Sequence, residues 1–215
     1  MSNALLRRIS PDQVTSLRRD PVDAEALSVA TQIVDDVRRR GEVALREYAE
    51  RHDGLLPGQP LVIERAELLA ALNALAPHER GLLDRTADRI RRFATAQRHC
   101  LQELTCAIPG GAAGHTIAPV EAAGCYAPGG RFPLPSSVLM TVIPARVAGV
   151  ETVWVGSPRP TAVTLSAAAL AGADALLCAG GAHAIAALAY GAGPVPPCDA
   201  VVGPGNRWVT AAKQL

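Results

Sequence analysis

P-V-E-A-A-G-C-Y-A-P-G-G-R-F-P-L-P-S-S-V-L-M-T-V-I-P-A-R-V-A-G-V, residues Pro119 to Val150, opens a stretch that closes on V-V-G-P-G-N-R-W-V-T-A-A-K-Q-L, residues Val201 to Leu215. Between these ends, short β-branched runs such as Thr152 to Val155 and Ala200 to Val202 alternate with alanine-rich spans of helical length, and a glycine cluster follows nearly every run. That alternation predicts an α/β fold, a parallel sheet with helical crossovers, because neighbouring parallel strands need a connection long enough to carry the chain back. Strands are expected near Val120–Tyr126, Thr152–Val155, Ala175–Cys178 and Ala200–Val202. Helices are expected from about Ser136 to Ala148, Thr161 to Ala171 and Ala182 to Tyr190, with a last one starting near Asn206. Pro144 should kink the first of these helices or delay its regular start.

Working outward, the preceding half reads as mostly helical. Asp20 is a candidate N-cap, Pro21 suits the first helical position, and Gly41 can take the left-handed conformation after the last turn. Val22, Ala26, Val29, Ile33 and Val37 recur at helical spacing and predict the buried stripe of that helix. A second helix from Glu42 to about His52 stops at Asp53-Gly54, and Leu61 to Ile63 reads as a short strand. Leu68, Leu69, Leu72 and Leu75 mark a third helix, and a long polar one runs from His78 to about Leu104. Pro109 to Gly114, P-G-G-A-A-G, holds too many glycines for a helix interior and predicts a hinge. The expected division is therefore a mainly helical segment, 1–114, and a sheet-bearing domain, 115–215.

With 215 residues, 49% hydrophobic and 19% charged, the chain can bury a core of ordinary size. A net charge of +1 gives no field for polyanions, and 3% aromatic residues leave few stacking platforms, which excludes nucleic acid as a partner. Arg85, Arg89, Arg91, Arg92 and Arg98 are interleaved with Asp84 and Asp88 at helical pair spacing, the pattern of a solvated helix face. Asp35/Asp36 and Glu47/Glu50 read the same way, since acid and base catalysis needs groups that converge in a pocket. No signal-peptide core and no run of about twenty apolar residues is present, so a soluble cytoplasmic protein with no membrane partner is expected. The five cysteines form no C-x-x-C pair and read as buried free thiols. The five histidines show no H-x-x-x-H spacing, and no metal ligand is assigned.

In an open parallel sheet, ligands bind outside the carboxyl ends of the strands. Here those turns are Ala127–Ser137, Gly156–Pro160, Ala179–His183 and Gly203–Asn206. Glycines let backbone approach a ligand, and helix N-termini present N–H groups to anions, so a dinucleotide pyrophosphate suits them. Neither G-x-G-x-x-G nor G-x-x-x-x-G-K-[ST] occurs, however, and glycines in tight strand–helix turns are more often structural than ligand-binding.

Four blocks carry a family resemblance. Y-A-P-G-G at Tyr126–Gly130, P-S-S-V-L-M at Pro135–Met140, G-G-A-H-A-I-A-A-L-A-Y-G at Gly180–Gly191 and V-G-P-G-N at Val202–Asn206 together resemble histidinol dehydrogenase. V-D-D-V-R-R-R-G-E-V-A-L-R-E-Y-A-E-R-H-D-G, Val34 to Gly54, extends the similarity into the first half. The resemblance implies a helical N-terminal segment followed by an incomplete Rossmann-like domain that binds NAD at an atypical site. Carried over residue by residue, its NAD contacts fall on Tyr126, His183 and Asn206. At 183 the family pattern has Gln; an imidazole donates or accepts, but not with the two-pronged geometry of an amide.

The resemblance also implies that the complete enzyme is a zinc-containing homodimer taking L-histidinol through the aldehyde to L-histidine by two hydride transfers to NAD. Its catalytic Glu-His pair and its zinc ligands belong to a later part of a protein about twice this length. This chain stops at Leu215 inside a span that reads as a helix, with no glycine cap. It is expected to be an N-terminal portion with no catalytic residue or metal ligand, inactive alone, whose undocked apolar faces promote self-association. Two alternatives stand beside it: a non-catalytic module binding a nucleotide or partner, and a fragment of a related diol dehydrogenase.

Overall fold

The structure is a computed structural model and describes residues 9–16, 22–129 and 132–215. In chain order these form α1 (Pro11–Ser16), α2 (Ala24–Arg40), α3 (Glu42–Tyr48) running into a π-turn (Ala49–Asp53), β1 (Val62–Glu64), α4 (Arg65–Ala74) and α5 (Pro77–His99). A hairpin of β2 (Leu104–Ile108) and β3 (Gly111–His115) follows. Then come β4 (Ala122–Tyr126), α6 (Pro135–Ala148), β5 (Thr152–Gly156), α7 (Ala162–Ala171), β6 (Ala175–Leu177), α8 (Gly181–Tyr190), β7 (Ala200–Val202) and α9 (Arg207–Ala212).

The fold is mixed α/β with a mostly parallel sheet and helical crossovers, as the alternation predicts. Strand order is β1-β6-β5-β4-β7, with β4, β5, β6 and β7 mutually parallel and β1 antiparallel on the outer edge. The parallel strands β4, β5 and β6 are buried along nearly their whole length, which requires cover on both faces. One face carries α4, α5, α6 and α7, where Leu68, Leu83, Leu139 and Ile143 pack with Val153 and Val155. The other carries α2, α3, α8 and α9, where Ala26, Ala30, Leu45, Ile185 and Val209 close against Trp154 and Leu177.

The connections create a reversal beside β4. The chain steps outward from β4 to β5 to β6, then returns to the opposite side of β4 to form β7. Adjacent crossovers that diverge in this way leave a crevice at the carboxyl ends of β4 and β7. Gly203 makes the crossing possible: its φ is 122°, and a Cβ there would sit 2.0 Å from the Tyr126 carbonyl oxygen.

Several expectations shift. The cap of α2 is Asp23, whose Oδ1 accepts the Ala26 N–H at 2.7 Å; Asp20 and Pro21 lie outside the described residues. The buried stripe of α2 is Ala26, Ala30, Val34 and Val37, while Val29 is 37% exposed. Small alanines on that face let α2 approach the alanine-rich α8 closely. α5 ends at His99, and the expected hinge is instead the turn and second strand of a hairpin paired from Leu104↔His115 to Ile108↔Gly111. Both hairpin strands are exposed throughout, so glycine there forfeits no core packing. α6 begins at Pro135 and continues through Pro144. All five thiols are free, but Cys100 and Cys106 are exposed and only Cys125, Cys178 and Cys198 are buried, because the first pair lies beside or within the solvent-facing hairpin. No helix of the described residues is long and apolar enough to cross a membrane.

Candidate functional site

The crevice at the carboxyl ends of the strands opens into a cleft of about 450 Å³, lined in part by Tyr126, His183 and Asn206. Small-molecule pockets run to roughly 300–1,000 Å³, so a cofactor-sized group has room. The three residues singled out by sequence therefore come together, from the end of β4, the first turn of α8 and the cap of α9. Pro158, in the turn after β5, joins the neighbouring turns: a Cβ on Gly129 or Gly180 would fall 2.6 Å or 2.7 Å from its ring carbon. Glycine at both positions lets the turns after β4, β5 and β6 touch.

Tyr126 is buried, and its hydroxyl oxygen accepts the Gly181 N–H at 3.2 Å. Its own proton stays available to a ligand. Burial pushes this phenol's pKa up, the Gly181 N–H opposes the rise, and nearby Asp53 adds to it, so the donor is retained at neutral pH.

His183 is buried with its Nε2 2.8 Å from Asp53 Oδ2, and the same oxygen accepts the Gly180 N–H at 2.8 Å. A carboxylate only accepts, so Nε2 carries the hydrogen and, in the neutral ring, Nδ1 presents a lone pair. Nδ1 has no partner among the described residues, and His183 lines the cleft. Asp53 ends the π-turn, with Gly54 left-handed behind it. The extra residue of a π-turn re-aims the side chains that follow, and such turns recur at functional sites. Tyr48 stacks on the His183 ring at 5.7 Å between centroids, and the His52 ring lies 6.2 Å from it. Partial burial, then the neighbouring His183 ring, hold the His52 pKa below its ordinary value.

Asn206 caps α9: its Oδ1 accepts the Trp208 and Val209 N–H groups, both at 3.1 Å. Its amide nitrogen has no partner among the described residues, so capping and ligand binding are compatible roles for one side chain. Arg207 lies over the Trp208 ring at 4.3 Å and pairs with Asp23 at 2.9 Å and Glu25 at 3.1 Å, fastening the start of α9 to the start of α2. Val29 and Ile33 on α2 and Trp208 on α9 give the cleft apolar walls.

Sequence reading missed Asp53, Val29, Ile33 and Trp208. Asp53 registered only as part of a helix stop, and its bond to His183 spans 130 positions, a distance at which no local pattern informs. Helical spacing places Val29 and Ile33 in a buried stripe because it marks an apolar face without saying what covers it. Among the described residues, no group of three or more His, Cys, Asp or Glu is placed to hold a metal ion. The arrangement is one for binding: apolar walls, a phenol donor, an imidazole acceptor and an amide, with no carboxylate left unengaged by backbone or side chain on the cleft wall.

Comparison with known proteins gives one family. The family model for histidinol dehydrogenase matches residues 17–215. "Histidinol dehydrogenase homolog 1" of Mesorhizobium japonicum is 42% identical over 196 residues, covering 88% of this chain and 39% of the relative. The histidinol dehydrogenase of Pseudomonas putida is 42% identical over 188 residues, 85% of this chain and 42% of the relative. That of Natronomonas pharaonis is 42% identical over 217 residues, 99% of this chain and 50% of the relative. The crystal structure of histidinol dehydrogenase from Elizabethkingia anophelis superposes with a TM-score of 0.82 at 26% identity, over 96% of this chain and 49% of that one. The chain thus spans about half the length, or less, of these relatives.

Proposed function

Since the chain belongs to the histidinol dehydrogenase family, we propose that it forms an NAD half-site of an L-histidinol dehydrogenase, the enzyme that converts L-histidinol through the aldehyde to L-histidine. The carrying observation is the convergence of Tyr126, His183 and Asn206 on one cleft where strand order reverses beside β4. The residues suit the cofactor. Trp208, Val29 and Ile33 offer apolar surface to a planar ring, the Tyr126 hydroxyl and Asn206 amide nitrogen donate to ribose or carboxamide oxygens, and His183 Nδ1 accepts from a sugar hydroxyl.

When bound, NAD supplies the hydride acceptor, and the side chains of this chain bind and orient it. Tyr126 and Asn206 are held in place by backbone hydrogen bonds and His183 by Asp53, so little side-chain freedom is lost on binding. Zinc does not fit the described residues, among which no three His, Cys, Asp or Glu are placed to hold a metal ion. In this reading the acid–base pair, the zinc ligands and the contacts for L-histidinol lie in the part of the complete enzyme that this chain does not span, and the chain alone is inactive. The exposed hairpin β2–β3, whose outer edges pair with no other strand among the described residues, supports a homodimer for the complete enzyme, since such edges invite pairing. Free thiols support a cytoplasmic location.

Calorimetric titration of NAD into the isolated chain tests the half-site. Saturable binding that weakens about fivefold or more in Tyr126→Phe is expected, from loss of one hydrogen bond. Absence of binding by a folded chain overturns the proposal and favours the reading of a non-catalytic module with another ligand.

A further inference from the structure

Arg159 is the one non-glycine residue with positive φ among the described residues, at 48°. It stands in Ser157-Pro158-Arg159-Pro160, the turn after β5, where the following proline already disfavours compact backbone conformations. A side chain in the left-handed region, ahead of a proline, is held there by its surroundings, and such strain clusters at ligand-binding sites. Pro158, wedged between Gly129 and Gly180, is the clamp.

The side chain so placed is exposed, lines the same cleft as Tyr126 and His183, and has no hydrogen bond, ion pair or ring contact among the described residues. The carboxylate that shares the cleft wall, Asp53, is instead occupied by His183 and the Gly180 N–H. Beside it, the N–H groups of Ala182 and His183, in the first turn of the ten-residue helix α8, also have no acceptor among the described residues. A third group points the same way: the His183 side chain is only 3% exposed, it lines the cleft, and its Nδ1 has no partner among the described residues.

We propose that Arg159, with the free N–H groups opening α8, grips a phosphate of a nucleotide whose adjoining sugar hydroxyl donates to His183 Nδ1. This deepens the cofactor assignment and rests on it for the nucleotide's identity, but not for the anion site itself. An unpaired guanidinium and unpaired backbone N–H groups on one wall match the oxygens of a phosphate, and the second imidazole nitrogen matches a sugar hydroxyl.

The test is calorimetry on the whole chain with two probes, inorganic pyrophosphate and NAD, for wild type, Arg159→Gly and Arg159→Lys. Glycine accepts φ 48° without strain, so the first variant removes the guanidinium while keeping the turn; unchanged thermal unfolding checks this. Arg159→Gly is expected to weaken both probes about tenfold or more, Arg159→Lys less, and the difference should shrink as salt rises. Equal affinity of wild type and Arg159→Gly for both probes overturns the inference, as does failure of pyrophosphate to bind wild type. Loss of pyrophosphate binding in Arg159→Gly, with no NAD binding by wild type, upholds the anion site and overturns the cofactor assignment instead.

Discussion

The bond between Asp53 and His183 decides what each residue contributes. Asp53→Ala leaves the Gly180 N–H and the His183 Nε2–H without an acceptor in a buried place, and should lower stability by about 2–3 kcal/mol, read from urea unfolding. His183→Gln should bind NAD more tightly than wild type, because an amide can hold Asp53 through its NH2 while its oxygen faces the cleft; unchanged or weaker binding by calorimetry contradicts this. His52 gives a pH signature. Its folded pKa is lowered from 6.5, chiefly by burial and then by His183, so the folded state binds its proton less readily than the unfolded one. The stability it contributes is present above pH 6.5 and is lost as pH falls through the lowered value. Proton NMR of the ring should show His52 titrating below 6.5. At this scale the sequence is partly legible: Tyr126, His183 and Asn206 stand in recognisable blocks, whereas Asp53 and Arg159 act through the tertiary placement of a π-turn and a strained turn, which no spacing encodes.

Among elements, the strands and helices after residue 119 match the sequence reading within a residue or two, because buried parallel strands must be continuous apolar runs and the turns between them need glycine. The first half is less legible. Helical periodicity located α2 but chose a stripe that includes Val29 and Ile33, since the pattern is the same whether an apolar face meets a helix or a cleft. Glycines at 110, 111 and 114 suggested a hinge because a solvent-exposed hairpin leaves no apolar alternation to read. Asn206 shows how an element's cap and a ligand contact are separated. Asn206→Ser keeps an oxygen for the Trp208 and Val209 N–H groups but deletes the amide nitrogen, whereas Asn206→Ala deletes both. Thermal unfolding should be nearly unchanged for the serine variant and show a loss of about 1 kcal/mol for alanine, while NAD affinity falls in both. Retained affinity in Asn206→Ser confines the residue to its capping role.

At the scale of the molecule, the segment 1–114 supplies a sheet strand, four of the helices that cover the sheet (α2, α3, α4 and α5) and the carboxylate that holds His183. We propose that the division at 114 separates stretches of sequence rather than independently folding units, since β1 pairs with β6 and Arg65 reaches the Ala173 carbonyl at 2.9 Å. Urea unfolding followed by Trp fluorescence and by circular dichroism should give coincident transitions. Cysteine access is a second readout. Burial pushes Cys125 and Cys178 up to about 11 and Cys198 to about 12, so alkylation of the native chain at pH 8 should label Cys100 and Cys106 alone, by mass spectrometry. Phe93, Leu101, Leu104 and Ile108, all about half exposed or more on α5 and the hairpin region, make self-association the expected behaviour in size-exclusion chromatography; a monodisperse monomer contradicts it. The central claim, an NAD half-site where β4 and β7 diverge, is tested most directly by titrating NAD into the 15N-labelled chain and mapping amide shifts. Shifts confined to the cleft, at Val29, Ile33, Tyr126, Arg159, Gly181 to His183, and Asn206 to Trp208, are the predicted result. Shifts that fall elsewhere, or none at saturating NAD, contradict it.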